Sequence, residues 1–220
     1  MVRPKKLRVL VTAGPTWVRI DRVRVLTNLF SGRTGFLIAK FLKDKGFPTT
    51  LLLGPARFIS EAKGLNLIRF KYFEELRSLI KKELKGRAYK VVIHSAAVSD
   101  YKPLKVYKGK ISSSQDRLLI ELKPTPKIIK EIRRIRPDIY LIQFKLEVGE
   151  TKNKLIDKAY KSLLENNSDL VVANDLKDIR GSGHRAYLID REKNVEVIRG
   201  RRDLAQKLFR VVKKLGRENV

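Results

Sequence analysis

Cysteine is absent from all 220 residues, which removes disulfides, thiolate metal sites and a cysteine nucleophile together. Histidine is scarce. His94 and His184 stand far apart in sequence, His94 within an apolar run, and no metal-ligand spacing joins them. Both read as structural or exposed side chains and not as a catalytic base. No stretch approaches the roughly 20 apolar residues that a membrane span requires. The basic start MVRPKKLRVLV carries an apolar run too short for a secretory leader, so the expectation is a cytoplasmic chain with no membrane partner. Aromatic residues make up only 8%, and no base-stacking signature of the RNA-recognition kind is present.

Positive charge is the one thing in excess, with 50 Lys and Arg against 23 Asp and Glu for a net +27. Three readings fit that balance: a nucleic-acid surface, a heat-adapted protein, and a site for polyanionic small molecules. Lys and Arg are spread over every helical segment, mixed with Glu, and form no stripe or tail. Nucleic acid is therefore not the expected partner, although charge alone does not choose. The length suits one domain with a real core.

The chain is organised around residues 7–35. Leu7, Val9, Leu10 and Val11 form a buried-strand run, which Ala13, Gly14, Pro15 and Thr16 break. Ser31, Gly32 and Gly35 then open a helix in which Ile38, Ala39 and Leu42 share a face. A strand emptying through a glycine-containing loop into a helix puts backbone N–H groups and a positive helix end where a phosphate can sit. The intervening loop is long, and loops beyond about 12 residues are usually functional or disordered. Val23, Val25, Leu26 and Leu29 make it too apolar for disorder.

Further on, strands are expected at Thr49–Leu53, Lys90–Ser95, Ile139–Phe144 and Asp169–Ala173, the last ended by Asn174-Asp175. Helices are expected over Tyr72–Leu84, from Thr125-Pro126 to Pro137, over Thr151–Asn166 and over Arg201–Leu215. A hairpin is expected from Arg185–Asp190 to Val195–Arg199. Residues 102–122, which are polar and end in the alternating Leu118–Leu122, read as a flap or hairpin excursion. The alternation of strands and helices predicts a Rossmann-like three-layer α/β sandwich on a mainly parallel sheet, one domain over residues 1–220. Sheets of this kind bind ligands at the carboxyl ends of their strands, where Asn28, Arg24, Asp100, Lys110, Asn174 and Asp175 collect.

Two enzyme classes are excluded on detail. The first loop has one glycine, Gly14, where a dinucleotide fingerprint needs G-x-G-x-x-G, and no Walker lysine follows it. Tyr101 and Lys105 have the Tyr-x-x-x-Lys spacing of short-chain reductases, but that pair works on a helix and Pro103 would break one.

The motifs taken jointly resemble those of the phosphopantothenate–cysteine ligase family. They are VTAGPT (Val11–Thr16), IDRVRVLTN, SGRTG, Gly54-Pro55, HSAAVSDY (His94–Tyr101), GKISSS, PTPKII, FKLE (Phe144–Glu147) and DLVVANDL (Asp169–Leu176). The resemblance implies an enzyme, in its stand-alone form, that joins 4′-phosphopantothenate to L-cysteine in coenzyme A biosynthesis. The route is an acyl-nucleotide intermediate formed from a nucleoside triphosphate with Mg²⁺. It implies Asn28 as the residue orienting that intermediate, Arg24 as its associate, Ala97 on the substrate side, and Lys110 as a flap lysine reaching the nucleotide. Nucleotide contacts are implied for Gly14, Thr16, Ser31, Gly32, Ser95, Ala96, Asp100, Lys110, Pro126, Lys127, Ile128, Ile129 and Phe144. Metal ligands are not implied at any named position. A homodimer is implied, since the family's flap packs at a dimer interface.

The chain departs from the cytidine-dependent pattern at Ser162 and Asn166, where lysines are usual, at Lys127, where Asp is usual, and at Phe30, where Ser is usual. Lys158 and Lys161 are the candidates to substitute. CTP is the expected nucleotide and ATP the alternative. The rival reading is a non-catalytic nucleotide- or nucleic-acid-binding protein on the same fold.

Overall fold

The computed structural model describes residues 7–56, 58–114, 116–180 and 184–218. Strands β1 (Arg8–Ala13), β2 (Trp17–Arg19) and β3 (Val25–Thr27) lead into helix α1 (Arg33–Asp44). Then follow β4 (Thr49–Leu53), β5 (Asn66–Arg69), α2 (Phe73–Gly86), β6 (Tyr89–His94), β7 (Tyr101–Pro103) and β8 (Leu122–Pro124). The second half runs α3 (Ile128–Ile135), β9 (Tyr140–Glu147), α4 (Lys152–Glu165), β10 (Leu170–Asp175), α5 (Leu176–Arg180), β11 (Arg185–Asp190), β12 (Val195–Arg199) and α6 (Arg201–Glu218).

Eight strands form one sheet in the order β12-β11-β10-β9-β6-β1-β4-β5. The six from β5 to β10 are parallel, and β11 and β12 add an antiparallel hairpin at the edge. Taken in chain order, the parallel strands lie 3-2-1-4-5-6, the doubly wound arrangement, whose direction reverses between β1 and β6. Strand pleating sends alternate residues to opposite faces. Val9 and Val11 pack with α1 and α6, Leu10 with α2 and α3, and Val171 and Ala173 with α4. The expected three layers are thus present, with a helical layer on each face.

Several sequence expectations change in detail. The long loop of residues 14–32 contains a β2–β3 hairpin, Trp17 opposite Thr27, whose Val18 is buried against Phe70 and Phe73. Of its other apolar residues, Ile20 is buried and Leu26 packs against the same cluster, whereas Val23 and Leu29 are 64% and 90% exposed. Leu118 and Leu119 are also exposed. The flap is closed instead by β7 pairing with β8, which leaves Tyr101–Pro103 extended and unfit for a reductase pair. Pro126 stands outside α3, whose N-cap is Lys127. Asn174 and Asp175 are the last two residues of β10 and are buried within it. The half-exposed edge strand β5 and the short α5 lack a periodic signal long enough to read.

The flap is tied to the hairpin by Asp21. This carboxylate is 1% exposed and accepts from the amides of Val23 (2.8 Å), Arg24 (2.7 Å) and Ile111 (3.0 Å). It also accepts from Arg24 Nη1 at 2.6 Å. Arg24 Nη1 donates in turn to the Ile111 carbonyl. Burial alone would raise the Asp21 pKa, but these donors outweigh it and bring it down to about 2. A depressed carboxylate contributes stability above its unfolded pKa of about 4, and that contribution is lost as pH falls through the folded value. Asp21→Asn is therefore expected to melt at a lower temperature than the wild type at neutral pH. The gap should shrink between about pH 4 and pH 2, as thermal unfolding across that range would show. A gap independent of pH would mean that the charge of Asp21 does not anchor the flap.

Candidate active site

The carboxyl ends of β1, β6, β9 and β10 open into one cavity of about 800 Å³, within the range of small-molecule sites. Its first wall is the start of α1. Gly32, the N-cap, has φ +78° and no side-chain cap bond, and no acidic residue stands in the first turn. A Cβ at Gly32 would lie 2.5 Å from Gly14 N, and one at Gly35 would lie 2.2 Å from Ser95 Oγ. Only glycine lets the helix end approach β1 and β6 this closely. The result is a backbone cradle. The Arg33 amide reaches Ser31 Oγ at 3.4 Å; the Thr34 and Gly35 amides that follow it have no cap among the described residues, an arrangement suited to an anion.

The second wall is the chain leaving β6. Ser95 donates to the Thr12 carbonyl through both its amide (3.1 Å) and its hydroxyl (2.7 Å). The Ala96 amide donates to Thr12 Oγ1 (3.2 Å), and the same hydroxyl shares a hydrogen bond with His94 Nδ1, 2.8 Å away. Burial pulls the His94 pKa down to about 4, so a neutral imidazole lines the cavity. Asn28 completes this wall. Its Nδ2 donates to the carbonyls of Ala97 (3.1 Å) and Val98 (3.2 Å), which fixes the amide orientation and leaves Oδ1 without a donor among the described residues.

The third wall combines the start of α3 with the ends of β9 and α4. Lys127 and Asp100 form an exposed pair at 2.6 Å. Gln143 Oε1 accepts from Asn166 Nδ2 and Ser168 Oγ, both at 3.0 Å, and Gln143 Nε2 donates to Ser162 Oγ at 3.3 Å. The two positions where lysines were expected therefore belong to a neutral, mutually bonded network. Lys158 is held by Glu147 and Glu150, and those carboxylates raise its pKa. Seven Lys and Arg side chains line the cavity against three carboxylates, so its field favours a polyanion.

Most of the residues expected from sequence meet here: Gly14, Asn28, Ser31, Gly32, Ser95, Ala96, Ala97, Asp100, Pro126, Lys127, Ile128, Ile129 and Phe144 all line the cavity. Three do not. Thr16 is fully buried, and its hydroxyl bonds the amide and side chain of Ser99, so it holds the two loops together. Arg24 is engaged with Asp21 and Ile111. Lys110 stands on the flap, outside the lining. The lining also includes His94, Gln143, Asn174, His184 and Arg201. The strand-end rule carried a signal for Asn174, whereas Arg201 arrives from a remote helix with no local motif.

A family model described as the DNA/pantothenate metabolism flavoprotein C-terminal domain matches residues 5–215. The chain belongs to this family. The coenzyme A biosynthesis bifunctional protein CoaBC of Thermococcus kodakarensis is 38% identical over 97% of this chain and 53% of its own length. The CoaBC protein of Methanocaldococcus jannaschii is 32% identical over 94% and 51% respectively. The chain thus spans about half the length of these curated relatives. Among solved structures, the DNA/pantothenate metabolism flavoprotein of Streptococcus pneumoniae superposes with a TM-score of 0.86 at 31% identity, covering 95% of this chain and 99% of that one. The cavity described above lies at the switch point of the sheet.

Asn28 gives the sharpest test of the wall geometry. In Asn28→Asp an anionic oxygen replaces an amide donor facing two backbone carbonyls, inside a cavity built for anions. Asn28 is only partly buried, so the fold should persist. Turnover is expected to fall about 10²–10³-fold, the usual cost of one misplaced preorganised group. A folded variant turning over at the wild-type rate would remove Asn28 from the site.

Proposed function

We propose that this chain forms 4′-phosphopantothenoyl-L-cysteine from 4′-phosphopantothenate, L-cysteine and a nucleoside triphosphate. The observation that carries the reading is the glycine-walled, uncapped start of α1 facing Asn28 and the β6 loop across a basic cavity, in a chain of this family. A carboxylate is a poor electrophile, so the reaction needs a mixed anhydride. The substrate carboxylate attacks the α-phosphorus and pyrophosphate leaves. The cysteine amine then attacks the acyl carbon, and the nucleoside monophosphate leaves with the electron pair of the broken C–O bond. The α1 amides with Gly14, Ser31 and Gly32 bind phosphate, and Asn28 and Ala97 orient the acyl group. Asp100, Pro126–Ile129 and Phe144 hold the nucleoside.

Magnesium fits this donor set as an ion brought in on the nucleotide. Among the described residues no cluster of three or more acidic, His or Cys groups exists to hold a metal alone. Mg²⁺ is usually bound by substrate phosphates and one or two protein oxygens. Asn174 Oδ1, buried and without a partner among the described residues, is the oxygen suited to it, and the ion would neutralise phosphoryl charge.

Arg24 and Lys110 act from the partner subunit of a homodimer in this reading. Leu29, Leu104, Val106 and Leu119 leave 50–90% of their surface exposed on the hairpin and flap, an apolar face that supports such an interface. No helix among the described residues is long and apolar enough to cross a membrane.

Pyrophosphate release that requires phosphopantothenate, in the absence of cysteine, is the deciding result. Release without the acid, or none with any triphosphate, would discard the ligase in favour of a binding protein.

CTP is the proposed nucleotide, and base selection rests on hydrogen bonds near Pro126–Ile129. In the complete reaction kcat/KM for CTP should exceed that for ATP. The reverse order would assign the neutral Gln143–Ser162–Asn166 network to an ATP-dependent site.

A further inference from the structure

His184 is the most deeply buried titratable side chain in the cavity wall, at 2% exposure. Neither of its ring nitrogens has a hydrogen-bond partner among the described residues. Buried polar groups in folded proteins are nearly always paired, so an orphan of this kind wants a ligand. The backbone sets His184 beside a second unmatched group. Its carbonyl accepts from the Gly200 amide at 3.0 Å, which places the start of α6 next to it. Arg201, the first residue of α6, lines the same cavity.

The Arg201 Nε donates to Thr34 Oγ1 at 3.2 Å, in the first turn of α1, and Arg201 forms no ion pair among the described residues. Five of the six other cavity cations are already matched: Arg33 to Glu61, Lys127 to Asp100, Lys145 to Glu147, Lys158 to Glu147 and Glu150, and Lys161 to Glu165. Lys130, on α3, forms no ion pair among the described residues. Burial, reinforced by the Arg201 charge, brings the His184 pKa down to about 4. The imidazole therefore offers a neutral N–H. An uncompensated guanidinium, an uncapped helix end and a dry N–H donor together call for an anion rich in acceptors.

We propose that Arg201 and His184, with the first turn of α1, form the subsite for the terminal phosphates of the nucleotide, the part that departs as pyrophosphate. The assignment rests on the ligase reading for the identity of the full substrate, but the subsite itself is defined by phosphate alone. Inorganic tripolyphosphate is therefore the probe, titrated calorimetrically into the whole chain without organic substrates.

Wild type should bind it saturably, and Arg201→Gln should weaken binding about 10–100-fold, the range for a lost charge-assisted contact. His184→Phe keeps a ring in the same volume without its N–H. It should weaken binding about 3–10-fold while leaving the melting temperature unchanged or raised, which a purely structural histidine would not do. In turnover both variants should raise KM for the nucleotide and leave KM for phosphopantothenate in place. If Arg201→Gln does not fold, Arg201→Lys, which keeps the charge but loses the planar fork, takes its place with a smaller loss. No binding by wild type, or wild-type affinity in both variants, overturns the subsite. Tripolyphosphate binding that falls in the variants of a chain without ligase activity would uphold the subsite and sink the ligase reading alone. An active ligase with unmoved affinities would do the opposite.

Discussion

The first turn of α1 lies so close to the ends of β1 and β6 that a single methyl group at Gly35 would fall 2.2 Å from Ser95 Oγ and 2.7 Å from Ala13 Cβ. This contact sets the geometry of everything around it. It holds the helix end, with its unpaired amides, at the point where the strand order reverses. It also fixes the spacing between the two loops that Thr12, Thr16 and Asn28 stitch together. A larger residue at position 35 would have to push α1 outward, opening the cradle, or displace the Ser95 hydroxyl from its bond to the Thr12 carbonyl. The crevice expected at a switch point is thus a consequence of two glycines and one threonine as much as of sheet topology.

Around that contact, part of the cavity wall is polar and neutral. His94 is kept neutral by burial, and Gln143, Asn166, Ser162 and Ser168 satisfy one another. A buried lysine at position 162 or 166 would need a counter-ion or a ligand to offset desolvation. The neutral network needs neither, so this wall is complete without a bound molecule. The side near α6 is different, because His184 and Asn174 remain unpaired there. One wall of the cavity is finished by the protein and the other is left for whatever enters.

The sheet was largely legible in the sequence, and the reason is physical. β1, β4, β6, β9 and β10 are short apolar runs buried on both faces, and α4 reads cleanly because Thr151 caps it and Asn166 ends it. The β11–β12 hairpin was visible in its alternation. What escaped were elements whose stability comes from elsewhere. The β2–β3 hairpin has three residues per strand and depends on Val18 reaching Phe70 and Phe73. Of the apolar residues that argued against disorder in that loop, Val25 and Leu26 are half-buried, Leu26 against the same cluster, and Val23 and Leu29 are surface. In the site, Gly14, Gly32, Asn28 and the 94–97 stretch were legible because they stand on adjacent strand ends. Within one copy of the chain, Arg24 and Thr16 tie the loops together and stand outside the cavity lining. His184 and Arg201 were hidden, because only the antiparallel hairpin and the turn of α6 bring them back to α1.

The charge of +27 resolves differently once positions are known. Many of the cations lie in surface ion pairs, and isolated exposed pairs contribute little each. Some are networks of greater consequence. Arg77 bonds Glu131 through both Nε and Nη2 and also meets Glu74, joining α2 to α3. Arg133 bonds Asp169 and the carbonyls of Pro137, Ile139 and Asn167, fixing the entries to β9 and β10. These multidentate arginines are pre-organised and partly buried, which is where an ion pair counts most. The excess over such pairs is felt most in the cavity, where seven cations face three carboxylates and low-dielectric walls focus the field. A nucleic-acid surface would need the same excess spread along an open groove. Here a net +4 of the +27, seven cations less three carboxylates, is enclosed at the strand ends, and that enclosed patch suits a compact polyanion.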